Sequence, residues 1–143
     1  MSENDITREL VRQIEEMKNT IKRLEVDKAQ FEAINIDSNP RILGASVNDY
    51  DIGNYDWILV NTTAPRNMSG LARGILGRRI IITNYGSTLT LLHQSALSVA
   101  TNRISTITGA NVPIASGYSA MLLYMDDTPF SAGYRWRILF PNN

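Results

Sequence analysis

Residues 80–106 read IIITNYGSTLTLLHQSALSVATNRIST. The first four are a β-branched run, and residues 88–92 nearly alternate polar and apolar side chains. The tetrapeptide NYGS lies between these runs and supplies turn-forming residues. Two β-rich runs joined by about four residues that include a glycine predict a β-hairpin. Small and polar residues predominate in residues 93–106, which predicts a surface loop after the hairpin.

Similar short runs on both sides of this hairpin predict a mainly β domain. The predicted strands are residues 57–61, 79–83, 88–92, 102–107, 111–115, 119–125 and 134–140, and residues 68–76 are ambiguous. In the last strand Trp136 alternates with Arg135 and Arg137, so we expect the tryptophan inside and both arginines outside. About seven to nine such strands predict an antiparallel β-sandwich or jelly-roll-like domain. No sequence repeat of about 20–50 residues is apparent.

The N-terminal segment, residues 5–32, carries the clearest periodicity in the chain. Apolar side chains recur at spacings of 4, 3, 4, 3 and 7 residues, at Leu10, Ile14, Met17, Ile21, Leu24 and Phe31. This is the a/d pattern of a heptad repeat, with mostly charged and polar residues between. So narrow an apolar stripe favours a parallel coiled coil that associates through these six residues. The alternative is an amphipathic helix that packs on its own β-domain.

The number of helices in the coiled coil is indicated by two opposing features. Isoleucine at a and leucine at d favour two strands. The hexapeptide TIKRLE, residues 20–25, instead resembles a trimerisation pattern of short coiled coils. Thr20 stands where that pattern has arginine. The sequence of the helix therefore allows both a dimer and a trimer.

Domain boundaries follow from the break after the helix. Pro40 biases Asn39 away from helical geometry, and other turn-forming residues surround it. The predicted organisation is an oligomerisation helix over residues 1–34, a junction over 35–47 and a β-domain over 48–143.

The composition limits the classes of partner that we expect for the chain. The 14 Lys and Arg residues balance the 14 Asp and Glu residues, so no basic excess points to nucleic acid. The absence of cysteine excludes disulfides and thiolate metal sites. The N-terminus MSEND has neither the basic nor the apolar region of a signal peptide, and no apolar run is long enough to span a bilayer. We therefore expect no nucleic-acid partner and no membrane insertion.

Side chains with catalytic or metal-binding chemistry are few. His93 is the only histidine, so a zinc site or a catalytic triad lacks partners for it. The aspartates of the β-domain lack EF-hand spacing and are typical of turns; they are Asp49, Asp51, Asp56, Asp126 and Asp127. We expect no catalytic residues, no metal, no cofactor and no enzymatic activity.

Several segments of the β-domain, taken in order, resemble a domain of phage structural proteins. They are Thr83-Asn84-x-Gly86-Ser87, Ala100-Thr101-Asn102-Arg103-Ile104, Thr108-Gly109-Ala110, Gly117-x-Ser119-Ala120-x-Leu122-x-Tyr124 and Arg135-Trp136-Arg137. The likeness runs from about residue 48 to residue 139. It is to the domain found at the ends of tail fibres, head fibres and related virion appendages.

This resemblance implies an assembly and a function. Phage fibres are typically trimers, so it implies a homotrimer in the virion with other capsid or tail proteins as partners. The expected role is non-enzymatic: a short trimeric fibre, or a decoration or adaptor protein on the capsid or tail. The alternative is a receptor-binding tail-fibre tip that recognises a host-surface glycan or protein. Its candidate contact residues are Tyr50, Tyr55, Tyr85, Tyr118 and Phe130.

Overall fold

The computed structural model describes residues 2–32 and 34–140, with side chains described for residues 2–25 and 34–139. The chain divides into two compact units, Met1–Ala33 and Ile34–Asn143, which we call the helix unit and the β-unit. The helix unit consists of α1, Glu3–Glu32. The prediction of a mainly β chain with an N-terminal helix is confirmed.

A reciprocal cap begins α1. The Asp5 N–H donates to Ser2 Oγ at 3.3 Å, and the Ser2 N–H donates to Asp5 Oδ2 at the same distance. These bonds satisfy donors that the first helical turn leaves without intrahelical partners. No glycine or proline interrupts the helix, whose 30 residues make a rod of about 45 Å.

The β-unit contains nine strands in two sheets within the described residues. The strands are β1 (Arg41–Leu43), β2 (Trp57–Thr62), β3 (Arg66–Met68), β4 (Arg79–Asn84), β5 (Leu89–Leu91), β6 (Ile104–Ser105), β7 (Val112–Ile114), β8 (Tyr118–Asp126) and β9 (Tyr134–Phe140). Their order is β1-β2-β4-β8-β9-β6 in the larger sheet and β3-β5-β7 in the smaller one. A 3-10 turn, Ala100–Asn102, precedes β6.

The first half of the β-unit winds through three stacked rungs, residues 34–54, 55–78 and 79–93. The parallel strands β1, β2 and β4 stack in the larger sheet. The parallel strands β3 and β5 stack in the smaller sheet. Each rung thus adds backbone that pairs in parallel with the rung before it. β8 and β9 then extend the larger sheet.

The rungs form a structural repeat that the sequence does not display. Ile36 pairs with Trp57, and Trp57 with Ile81, so the rungs advance by 21 and then 24 residues. The corresponding series on the smaller sheet is Val47, Met68 and Leu91. Equivalent positions are apolar but mostly differ in residue type, and the spacing is uneven. The absence of an apparent sequence repeat of about 20–50 residues is therefore compatible with a repeat in the backbone.

The predicted hairpin over residues 80–92 is wrong. Both edges of β4 are occupied, by β2 on one side and β8 on the other, and β5 belongs to the smaller sheet. Asn84 builds the corner between the sheets: its Nδ2 donates to the carbonyls of Ser87 (2.6 Å) and Ile114 (2.8 Å). The N–H groups of Tyr85 and Ser87 donate to the preceding rung, at Val60 and Thr62. The glycine-containing turn is a corner of the winding chain.

Strand direction also departs from the predicted antiparallel jelly-roll-like arrangement. Four of the seven strand ladders between described residues are parallel. Stacked rungs require parallel neighbours, whereas a hairpin meander produces antiparallel ones.

The β-unit also begins earlier than the predicted boundary at residue 48. The segment predicted as a junction, residues 35–47, contains β1 and forms bridges at Ile36 and Val47. The N–H of Asp37 donates to the Trp57 carbonyl at 2.9 Å. This segment is the first rung.

One hydrophobic cluster fills the β-unit and draws residues from both sheets. Trp136 lies in it with no exposed surface, and its indole N–H donates to the Leu71 carbonyl at 2.9 Å. The ring of Tyr124 meets Trp136 edge-on, with centroids 5.2 Å apart. The prediction that Trp136 lies inside is confirmed.

Candidate assembly surfaces

The six residues predicted to mediate oligomerisation recur at helical spacing along α1. Positions three and four apart share one side of a helix. Five of them, which we call the helix stripe, have side chains between 46% and 59% exposed in the single chain: Leu10, Ile14, Met17, Ile21 and Leu24. The side chain of the sixth, Phe31, lies outside the described residues. The helix stripe therefore exposes apolar surface in the described single chain.

Two apolar residues that the sequence reasoning missed widen the helix stripe near its start. Ile6 is 46% exposed and Val11 is 55% exposed. They occupy the g and e positions, which flank the a/d pair and often carry charge in two-stranded coiled coils. The sequence contained a signal for both: Ile6 directly precedes Thr7, an a position, and Val11 directly follows Leu10, a d position.

The ion pairs of α1 lie outside the a and d positions. Arg12 pairs with both Glu9 and Glu16, and Lys18 lies 3.5 Å from Glu15. The hydrogen bond from Arg12 lowers the pKa of Glu9. Four of these five residues hold b, c or f positions, and Lys18 holds an e position. These charged residues therefore find their ion-pair partners within α1 itself.

The outer face of the larger sheet is the second apolar surface. Its large outward apolar side chains include six that we call the sheet face: Ile42, Trp57, Leu59, Ile81, Met121 and Leu123. Ile42, on the edge strand, is exposed, and the other five are half-buried in the single chain. Trp57, Ile81 and Met121 form a row across three strands. A sheet face in contact with water normally carries polar side chains, so this face differs from that expectation.

Polar groups on the sheet face bond to one another. The Trp57 indole N–H donates to Thr83 Oγ1 at 2.9 Å, and the hydroxyls of Thr83 and Ser119 are 2.7 Å apart. The exposed Arg79 lies at the border, where its backbone is in register with that of Leu123. The face thus offers few free hydrogen-bonding groups at its centre.

The sequence contained a signal for the sheet face. β2 and β4 carry apolar residues at both inward and outward positions, as strands buried on both sides do. Residues 119–125 are an expected buried run, but only alternate residues of β8 point into the core. Which outward side chains become neighbours on the sheet face depends on the parallel pairing of the strands. The sequence did not predict that pairing.

His93 and Asp49 have structural partners. The Thr106 N–H donates to His93 Nδ1 at 3.0 Å. Asp49 Oδ1 accepts hydrogen bonds from the Val99 N–H and from Asn102 Nδ2. The bonds to Asp49 tie the 3-10 turn to the first rung.

The other four aspartates are also engaged. Asp51 pairs with Arg73, and the hydrogen bond from Arg73 lowers the pKa of Asp51. The remaining three accept hydrogen bonds: Asp56 from the Asn35 N–H, Asp126 from the Thr128 N–H and Asp127 from the Ser131 hydroxyl. Within residues 2–32 and 34–140, no three His, Cys, Asp or Glu side chains gather into a metal-binding group.

The prediction that Arg135 and Arg137 lie outside is wrong for Arg135, which is 5% exposed. Its Nε donates to Gln94 Oε1 at 2.8 Å. Arg137 is half-buried: its Nη1 is 3.3 Å from Oδ1 of the fully buried Asp127, and its guanidinium lies over the Phe130 ring. Partners from neighbouring loops cover this side of β9, so outward position does not mean exposure.

The five predicted aromatic contact residues divide into two groups. Tyr50 and Tyr55 are half-buried and flank Arg41, whose guanidinium carbon is 5.6 Å from each ring centroid. Tyr85, Tyr118 and Phe130 are exposed. Asn84 is in register with Tyr118, so Tyr85 and Tyr118 lie at the same end of the larger sheet.

Comparison of the chain with known proteins finds no matching family profile, no matching curated protein and no matching solved structure. Among the described residues, no helix has both the length and the apolarity that crossing a membrane requires.

Proposed function

We propose that the chain is a non-enzymatic structural protein of a phage virion, a short homotrimeric fibre or a decoration or adaptor protein on the capsid or tail. The helix stripe carries this proposal. Its five residues expose apolar surface at heptad spacing, whereas the ion-paired residues of α1 lie outside the a and d positions. A parallel coiled coil of identical chains buries this surface and leaves the charged residues in water.

A trimer accounts for the width of the stripe better than a dimer does. In a three-helix bundle each helix contacts two neighbours, so the positions beside the a/d pair are also partly covered. Ile6 and Val11 occupy such flanking positions and are both exposed in the single chain.

The residues behind the phage resemblance support a structural role for the β-unit. Asn84 forms the corner between the sheets, Asn102 donates to Asp49, and Trp136 fills the core. These side chains stabilise the β-unit itself. We propose that its two sheets pack as a sandwich-like head of the fibre.

A receptor-binding tip is the second candidate function, and the exposed pair Tyr85 and Tyr118 favours it. Two aromatic rings at one end of a sheet provide flat apolar surface for a sugar ring or a protein partner. The test is adsorption of the protein to host cells, compared with a Tyr85→Ala, Tyr118→Ala variant. Equal adsorption excludes this pair as the contact.

Electron microscopy of intact particles, with a label on the chain, tests the virion role. We expect the label at regular positions on the capsid or tail, with three copies at each position. Particles that lack the chain overturn the proposal.

The helix stripe is tested separately with the full chain. Ile14→Asp combined with Ile21→Asp, the stripe variant, places two carboxylates in the helix stripe and should abolish the trimer. Asn19→Asp adds the same kind of charge at an f position and should leave the trimer intact. Light scattering at micromolar concentration distinguishes the two outcomes.

A further inference from the structure

We infer that the sheet face is a second interface between copies of this chain, where β-units meet around the three-fold axis of the proposed trimer. The inference rests on the proposed homotrimer and adds a surface that the helix does not supply. Its starting point is the row Trp57, Ile81 and Met121, half-buried in the single chain.

The chemistry of the sheet face fits an apolar protein surface. The Trp57 N–H and the hydroxyls of Thr83 and Ser119 are already paired with one another. A sugar or a nucleic acid would find few free donors or acceptors at the centre of the face. Contiguous apolar surface rimmed by polar residues marks a protein interface.

The chain connection identifies a second copy as the occupant. Ile36, which pairs with Trp57 of the sheet face, follows the helix end at Glu32 by four residues. Four residues span at most about 14 Å. A parallel coiled coil gathers the three helix ends, and this short connection limits how far apart the Trp57 ends of the three sheet faces can lie.

The size of the sheet face explains why the helix is needed as well. Four strands at about 4.8 Å spacing and about six residues at 3.3 Å give roughly 400 Å². A stable interface buries about 800 Å² on each partner, so the face alone is too small to hold the assembly. The coiled coil supplies the high local concentration that lets a small apolar face associate.

Cysteine reactivity tests this interface, because the chain has no cysteine of its own. Leu59→Cys, the face variant, places a thiol on the sheet face. Leu76→Cys, the control variant, places one at a residue that is 68% exposed and lies off the face. Each is made in the native chain and in the full-length stripe variant. The measurement is the rate of alkylation by iodoacetamide under native conditions.

We expect the thiol of the face variant to react at least about tenfold more slowly in the native assembly than in the stripe background, as for an interface open less than a tenth of the time. The thiol of the control variant should react equally fast in both backgrounds. Leu123→Cys on β8 repeats the test from the other side of the face, in case one substitution loosens the β-unit.

The outcomes separate this inference from the proposed function. Suppose that light scattering shows a trimer and that the thiols of both Leu59→Cys and Leu123→Cys react at the same rate in the two backgrounds. The sheet-face interface is then overturned while the trimer stands, and the face is open for a different virion protein. If the native chain is monomeric, the homotrimer itself fails, and the inference fails with it.

Discussion

Trp136 and Arg137 are adjacent on β9 and stabilise the β-unit in different ways. Trp136 contributes apolar contact and one hydrogen bond to the Leu71 carbonyl. Arg137 neutralises Asp127, a carboxylate with no exposed surface. Alternation along the strand predicted the position of Trp136, because one face of a strand meets the core. It could not predict the environment of Arg135 or Arg137, because Gln94, Asp127 and Phe130 lie outside β9, in loops whose positions alternation does not specify.

Replacement of Trp136 by alanine should lower the free energy of unfolding by about 3–5 kcal/mol, as large aromatic-to-alanine changes in cores do. Denaturant titration of the purified variant measures the change. A loss below about 1 kcal/mol, the size of an ordinary surface change, would contradict the placement of Trp136 in the core.

Arg137→Ala should lower the free energy of unfolding by about 3 kcal/mol, because it leaves the buried Asp127 without its cation. The double variant Asp127→Asn, Arg137→Ala removes the unpaired charge and should recover part of that loss. Denaturant titrations of both variants form the comparison. A double variant that is less stable than Arg137→Ala alone would show that the pair is not the source of the cost.

Asp37 should make the stability of the β-unit depend on pH. The hydrogen bond from Arg41 Nε, at 2.9 Å, holds the pKa of Asp37 below its ordinary value of 3.8. A lowered carboxyl pKa gives stability that is complete above the unfolded value and is lost as pH falls through the folded value. The urea midpoint of the native chain should therefore fall more steeply below about pH 4 than that of Asp37→Asn. Parallel curves for the two proteins would contradict this role.

At the scale of elements, local patterns predicted strands but not their partners. Residues 79–83 and 134–140 were predicted as strands, close to the observed β4 and β9. Period-2 alternation and β-branched composition are local signals, and they identify strands well. The direction of pairing depends on where the chain goes after each turn. At the NYGS turn that route is determined by Asn84, whose amide bonds the Ile114 carbonyl.

Gly86 should be required for that corner. A Cβ at Gly86 would collide with the backbone O and N of Thr62 in the preceding rung. Gly86→Ala should destabilise the β-unit by about 1–3 kcal/mol, the usual cost of overpacking. Gly44→Ala is the control, since nothing lies within 4 Å of its added Cβ. Thermal unfolding of both variants is the measurement, and equal midpoints would contradict the close approach of the rungs.

At the scale of the whole molecule, only one of the two candidate assembly surfaces could be predicted from the sequence. The helix stripe repeats every seven residues within one element, so it is predicted from the sequence alone. The sheet face combines residues from β1, β2, β4 and β8, which are brought together by pairing between distant segments. Its recognition required the register of the ladders.

The assembly state of the full chain is the most direct test of the homotrimer. We predict that light scattering at micromolar concentration gives a mass three times the 16.0 kDa of one chain. The stripe variant should give the mass of one chain under the same conditions. A native chain that scatters as a 16.0 kDa monomer, or as a dimer, would contradict the account.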